Sequence, residues 1–447
     1  ECAKVTLVTA GDEVIEEGAH GADAYVVIAG RLDVIIGAAH GDPSVVSALG
    51  PGDVVGEMAL ITDEPRSATV RARRESALMR ISAEDFRSIV LDHPEALLAM
   101  TRTVMERLNR SIHNERPDVS QSVIAVLPAG TRPAHYDFAA DFTHVLVSEG
   151  LVPEVVSAER VRRDLGADAT SARVAEYLHR IEDGNDIVVL VGEAGNPAWT
   201  DLCRRHSDVA LLVGQAESLG DTGDYELGDP EEDASIQLVL VHTADRPTGT
   251  ADILSLRIHD RYHHVRKGRM DDIGRVARIV RGVSTGVVLG GGGARGFAHI
   301  GVLRALAEAG IRFDHIGGSS IGSAVASAVA MGNDLDEVTS LMEWVTHGQG
   351  GVMDSTFPSV SIARGRRLSS AMREAYGDRD IRALWVGFYG VSRDLTDGTL
   401  HVHRSGPVWE AVRASVAIPG IFPPMRSRLG HVLVDGGILD NVPTATM

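Results

Sequence analysis

The sequence predicts a multidomain α/β protein, and three observations predict it. Residues 1–92 are short apolar runs broken by Gly and Asp, the pattern of a small β-roll. Residues 118–282 alternate apolar strands with helical stretches, the rhythm of a parallel sheet. From residue 283 a third unit opens as strand, Gly-rich turn and helix. At 447 residues, and roughly 150 residues per domain, the expected boundaries are 1–116, 117–282 and 283–447.

In the first domain Ala24–Ile28, Arg31–Ile36 and Thr69–Ile81 read as strands, with Gly18, Gly30, Gly50 and Gly52 at turns. Pro94 then starts a helix, with Leu97, Thr101, Val104, Met105, Leu108 and Ile112 at helical spacing. In the second domain the strands are Val123–Leu127, Ile187–Val191, Val209–Val213 and Ile236–Val241. The polar stretch Glu217–Asp233 reads as an extended or disordered loop. In the third domain Val287–Leu289 and Phe313–Gly317 are strands, each followed by a helix.

Composition removes several classes of function. Apolar residues are 44% and charged residues 23%, ordinary for a globular chain. The charge is 43 − 62 = −19, which disfavours nucleic acid as a partner. Cys2 and Cys203 are the two cysteines. They supply no disulfide framework and suit a reducing, cytoplasmic compartment. No run approaches the ~18 apolar residues of a membrane span, and no signal peptide is visible. Residue 1 is Glu and the text stops shortly after a motif, so the chain reads as a fragment; an upstream membrane anchor stays open.

The chemistry concentrates in the third domain. Gly290–Gly296 fits G-x-G-x-x-G between a strand and a helix, which is one mark of a dinucleotide site. Such a site also needs an acidic residue ending the next strand. That strand ends instead in Gly318-Ser319-Ser320-Ile321-Gly322, a G-x-S-x-G on a strand-to-helix turn, the context of an exposed nucleophile. Gly282-Val283-Ser284-Thr285-Gly286 carries the same letters, but it precedes its strand and cannot form that elbow. Gly-rich turns let backbone amides approach a substrate closely, and a helix start favours an anion. No histidine follows a late acidic residue in the Ser–Asp–His order. Leu433-Val434-Asp435-Gly436-Gly437 places a carboxylate at a strand end, which by itself also suits a plain Asp-Gly turn.

Taken together, these motifs resemble the patatin-like phospholipases: a G-G-G-x-R-G turn, a G-x-S-x-G elbow, a late D-G-G, and the segment Ala414–Pro424. The resemblance implies a C-terminal α/β hydrolase domain working with a Ser–Asp dyad, Ser320 as nucleophile and Asp435 as base. It also implies oxyanion donors from Gly291, Gly292, Gly293 and Ala294, with Arg295 organising the turn. No metal or other catalytic cofactor is expected.

Near the start, Gly56-Glu57-Met58-Ala59-Leu60 followed by Pro65-Arg66-Ser67-Ala68-Thr69-Val70 is similar to the phosphate cassette of cyclic-nucleotide-binding domains, with Val55 where an aromatic is common. The resemblance implies Glu57 on the ribose and Arg66 with Ser67 on a cyclic phosphate, with Gly56, Met58 and Ala68 lining the site. It leans toward cyclic AMP over cyclic GMP.

A sensor roll, an α/β spacer and a patatin domain in this order resemble the neuropathy target esterase family, with support from Trp199–Arg205 and Leu238–His242. Pro128–His135 holds the P-loop place without G-K-[ST], so no nucleotide hydrolysis is expected there. Arg257–Arg281 carries eight Lys/Arg against three Asp. It is read as packing between domains against acidic neighbours, in preference to facing phospholipid head groups. The expected function is hydrolysis of a phospholipid or lysophospholipid by a peripherally membrane-associated enzyme under cyclic-nucleotide control, with a homodimer open. The alternatives are an esterase with a vestigial roll and a catalytically inactive lipid-binding or signalling protein.

Overall fold

The fold is taken from a computed structural model, which describes residues 4–37, 44–62, 64–93, 122–130, 134–166, 168–169, 171–182, 184–221, 236–247, 250, 261–348 and 351–447. The helix expected over Pro94–Ile112 therefore lies outside the described residues, as do Cys2, residues 222–233 of the acidic loop and residues 257–260 of the basic stretch. By its contacts the chain groups into two units, residues 1–239 with 259–262 and 280–282, and residues 240–258, 263–279 and 283–447.

The first unit begins with two four-stranded antiparallel sheets. Leu32, Leu49 and Leu78 are fully buried between them. Leu32 pairs with Leu49 on one side and Ala72 on the other, so period-two alternation turns each inward residue to one core. Gly30, at φ 96°, makes the turn between Asp23–Ala29 and Leu32–Ile36. The expected strand Thr69–Ile81 is two strands, Thr69–Ala72 and Ser76–Ser82. The break has a cause. Arg74 turns away from the roll into the spacer, where Nη2 meets both Glu182 oxygens at 2.8 and 2.7 Å and Nε lies 3.6 Å from Asp208. The neighbouring Glu75 N–H donates to the Arg205 carbonyl at 2.9 Å. Ala83–Asp92 is a helix that the strand reading missed, capped by the Ser82 hydroxyl.

Burial works against the charge of Asp208, yet Arg74, Arg31 and the Val123 amide hold its carboxyl below the ordinary range. Removing Arg74 would take the cationic partner from half-buried Glu182 and the nearest one from buried Asp208. Arg74→Ala is expected to cost about 3–5 kcal/mol in urea unfolding. Arg71→Ala, breaking an exposed pair with Glu13, should cost no more than about 1 kcal/mol. Equal effects would remove the special standing of Arg74.

The spacer sheet runs in the order Pro153–Ser157, Ile187–Val191, Val123–Pro128, Val209–Gln215, Ile236–His242, Tyr262–Arg266. Its first four strands are parallel. Val123–Pro128 and Ile187–Val191 are buried at every residue, as parallel strands covered on both faces must be. Pro153–Ser157 and Tyr262–Arg266 escaped the sequence reading because charged or polar residues interrupt them. In the basic stretch Arg266 and Arg275 pair with Asp272 at 2.7 and 3.1 Å, Arg278 with Asp314 at 2.6 Å, and Arg281 with Glu149.

In the second unit a sheet runs Gly286–Leu289, His315–Ser319, Gly387–Asp394, Val432–Asp435, Met425–Arg426. The first three strands are parallel and Val432–Asp435 is antiparallel to the third. The register fixes the site: Ser319 lies opposite Val391, and the next residue, Ser392, lies opposite Asp435. The helix Ile321–Ala330 is apolar nearly all round and correspondingly buried. Tyr376 anchors it, its hydroxyl donating to the Ala324 carbonyl at 3.1 Å. Among the described residues no helix is long and apolar enough to cross a membrane.

Candidate active site

Ser320 stands at the end of strand His315–Ser319 and opens helix Ile321–Ala330. Its φ of 54° is the only positive value at a non-Gly position among the described residues. Such strain persists only where the surroundings over-determine it. Here they do. A Cβ on Gly318 would lie 2.4 Å from the Leu289 carbonyl oxygen, and one on Gly322 only 2.1 Å from it. The two glycines let the elbow press against strand Gly286–Leu289. The Ser320 N–H donates to Ser415 Oγ at 2.8 Å, and Ser415 Oγ donates to the Val391 carbonyl at 2.6 Å.

Ser320 Oγ donates to Asp435 Oδ2 at 2.5 Å. Both residues are 5% exposed. Asp435 is itself fixed, its N–H donating to the Ala417 carbonyl at 3.0 Å and its Oδ1 accepting from the Gly437 amide at 2.8 Å. Burial pushes its carboxyl above the ordinary range, against the opposing pull of the Ser320 and Gly437 donors. Among the described residues no histidine bonds to either side chain. His299 Nε2 meets the Gly290 carbonyl at 2.8 Å, His403 meets Ser392, and His431 meets Asp394.

The Gly-rich turn comes against this pair. A Cβ on Gly291 would lie 3.1 Å from Ser320 Cβ and 2.6 Å from Asn441 Oδ1. The Gly291 amide is engaged, donating to Asn441 Oδ1 at 3.1 Å and to the Asn441 carbonyl at 3.2 Å. Gly293 and Ala294 are exposed and Gly292 is half-buried. Arg295 is exposed with no side-chain hydrogen bond or ion pair among the described residues, so Asn441 and His299 hold the turn. Sequence reasoning missed Asn441, whose only signal was its place shortly after Asp435-Gly436-Gly437. It also missed the part of Ser415, although that residue stood inside a quoted motif.

Asp394, Asp397 and His431 each place one ligand atom within 4.8 Å of the others. The Asp394 oxygens are already taken, Oδ1 by the Thr396 amide at 2.8 Å and Oδ2 by His431, so the group is a hydrogen-bonded turn.

In the roll, Gly56, Glu57 and Arg66 come together. Glu57 is 4% and Arg66 7% exposed. Arg66 Nη1 donates to the Gly56 carbonyl at 2.7 Å and Nη2 to the Asp23 carbonyl at 2.6 Å. A Cβ on Gly56 or Gly21 would meet the guanidinium at 2.6 Å, so both glycines make room for it. Met58 and Ser67 are exposed and Ala68 is half-buried.

Three family models match the chain. A patatin-like phospholipase model covers residues 287–447, a cyclic nucleotide-binding domain model residues 6–93, and a neuropathy target esterase family P-loop-like domain model residues 120–283. Patatin-like phospholipase domain-containing protein 6 of Pongo abelii is 29% identical over 98% of this chain and 36% of its own length. The Homo sapiens protein of the same name gives the same three figures. Neuropathy target esterase sws of Drosophila mojavensis is 30% identical over 94% of this chain and 32% of its own length. The chain thus spans about a third of these relatives. A solved cyclic nucleotide-binding domain from Methylobacillus flagellatus overlaps 25% of this chain and 66% of that one, at 19% identity and a TM-score of 0.24, too low to carry an argument. The three domain matches, in this order, and these relatives make the chain similar to the neuropathy target esterases along nearly all of its length.

Proposed function

We propose that the chain is a serine lipid acyl hydrolase acting on phospholipids or lysophospholipids through a Ser320–Asp435 dyad. The observation that carries this reading is the 2.5 Å bond from Ser320 Oγ to Asp435 Oδ2, with no histidine among the described residues bonded to either. Ser320 Oγ attacks the ester carbonyl while its proton passes to Asp435. The tetrahedral oxyanion is met by the amides of Gly292, Gly293 and Ala294, since that of Gly291 is taken by Asn441. Collapse breaks the acyl–oxygen bond, and the leaving alcohol takes the proton back from Asp435. A water then attacks the acyl-Ser320 ester, Asp435 accepts its proton, and collapse returns a proton to Ser320 and releases the fatty acid. A carboxyl raised by burial suits this role better than an ordinary one, because its basicity lies nearer neutral pH. The test is fatty-acid release from lysophosphatidylcholine, with a fluorophosphonate label to mark the nucleophile. Labelling of Ser284 in place of Ser320 would end the assignment.

The roll is proposed to bind a cyclic nucleotide, cyclic AMP in preference to cyclic GMP, and to set the esterase rate. Arg66 carries further N–H donors beyond those on Gly56 and Asp23. A charge-assisted contact of about 1.5–3 kcal/mol predicts that Arg66→Ala weakens cyclic AMP binding by roughly 10- to 150-fold in calorimetry. The same variant loses the two carbonyl contacts, so its melting temperature should also fall. A second reading, a purely structural roll, is favoured by those carbonyl contacts. No heat of binding to the native protein would establish it, and binding without a change in rate would end the regulatory claim.

A further inference from the structure

A pocket of about 450 Å3 opens between helices Arg366–Tyr376 and Val408–Ser415 and the strand Met425–Arg426. Five arginines line it, and neither a carboxylate nor Ser320 or Asp435 does. That is an unusual concentration in a chain of net charge −19, because like charges gathered at one place repel.

Arg413 is built into this pocket. It is 4% exposed. Its Nε donates to Ser369 Oγ and its Nη2 to the Pro423 carbonyl, both at 3.2 Å. Among the described residues its buried Nη1 has no acceptor. A donor left in this state is costly unless a ligand completes it. Gly365, at φ 74°, gives the guanidinium its room, since a Cβ there would lie 2.7 Å from Nη2. At the wall, Arg373 stacks 4.2 Å over the Trp409 ring. Arg364, Arg366 and Arg426 are exposed, and none pairs with a carboxylate among the described residues. The helix amides are not the donors here. Asp354 already accepts those of Gly365 and Arg366, at 2.7 and 2.9 Å.

The segment leading into Arg364 carries a second feature. Ile362 and Ala363 donate to the carbonyls of Gly420 and Ile421 at 2.9 Å each. This joins two segments that leave Phe357 85%, Val360 67% and Ile362 50% exposed. Exposed apolar side chains beside unpaired arginines fit a surface that offers phosphate next to hydrocarbon.

We propose that this pocket receives the phosphate of an anionic phospholipid head group, with Arg413 as its floor and Arg364, Arg366 and Arg426 as its rim. The planar guanidinium fork matches phosphate oxygens bidentately, and the Ser370 hydroxyl at the wall adds a donor. The inference rests on the lipid-hydrolase reading only for choosing a lipid as the bearer of the phosphate.

The test separates the two readings by using Ser320→Ala protein, in which binding is measured without turnover. Retention on phosphatidylcholine vesicles should rise when phosphatidic acid is included, and fall again with added salt. Arg364→Gln with Arg366→Gln, both at exposed positions, should weaken that retention about 10- to 100-fold. Arg413→Gln should do the same, with circular dichroism to show that it folds. In otherwise native protein the Arg364→Gln, Arg366→Gln change should leave hydrolysis of a soluble short-chain ester unaltered. Inorganic phosphate, read through Trp409 fluorescence, provides the other arm. Phosphate binding that depends on these arginines, without any gain from phosphatidic acid, would overturn the lipid assignment. Retention indifferent to all the arginine changes would overturn the site.

Discussion

Ser320→Ala is expected to abolish acyl ester hydrolysis, and Asp435→Asn to cost nearly as much. Nucleophile and base act as a unit, so removing either should lower the rate by about 10⁴- to 10⁶-fold. The fold should survive both changes. Asn can accept the Gly437 amide on Oδ1 and donate from Nδ2 to Ser320 Oγ, contacts now made at 2.8 and 2.5 Å. The stability effect has a definite sign. Burial raises the Asp435 carboxyl above its ordinary value of 3.8, so the folded state holds its proton more tightly than the unfolded chain. The group favours folding below that ordinary value, and this contribution is lost as pH rises through the raised folded value. At neutral pH the buried charge therefore weighs against the fold, and Asn removes that weight. Asp435→Asn should melt at or above the native temperature at pH 7, with the advantage shrinking in acid. The native rate should fall on the acid side, at a pH above that of an unperturbed carboxylate. A histidine substitution as damaging as Asp435→Asn would replace the dyad with a triad.

The meeting of Ser320 with Asp435 was legible because each sits in a short motif whose backbone demands are local. The elbow needs glycine on both sides of the serine, and the sequence has Gly318 and Gly322. The partners that fix the pair act across the fold. Ser415 lies 95 residues from Ser320, and Asn441 lies 150 from Gly291; no local pattern announces such contacts. The spacer strands Val123–Pro128 and Ile187–Val191 were readable because burial on both faces makes them continuously apolar. The edge strand Pro153–Ser157 needs no such run and was missed. Arg74 shows the limit most clearly. In sequence it is one polar residue inside an expected strand. In the fold it ends that strand by pairing with Glu182 and Asp208. Arg66 was found by spacing, but the carbonyls of Gly56 and Asp23 that occupy it were not.

Gly322→Ala should lose both stability and activity. The added Cβ would lie 2.1 Å from the Leu289 oxygen, 2.6 Å from its carbonyl carbon and 2.7 Å from the Gly290 oxygen. All three atoms are backbone, so no side chain can swing aside. Relief requires helix Ile321–Ala330 to move away from strand Gly286–Leu289, whose Leu289 pairs with Gly318. Overpacking of this kind costs about 1–3 kcal/mol, and more where backbone must shift. The rate should suffer further, because the same strand leads into the turn at Gly291, and a displacement near 1 Å can cost about 100-fold. Gly301→Ala is the comparison in the same unit. Apart from its own helix backbone, no described residue lies within 4 Å of its added Cβ, and it sits inside helix Ala298–Glu308. There alanine should stabilise by about 0.5–1 kcal/mol and leave the rate alone. Thermal melts and esterase rates on the two variants read both effects. A Gly322→Ala protein with native melting temperature and rate would mean that the elbow is not pressed against its neighbouring strand, and the strain at Ser320 would then lose its physical cause.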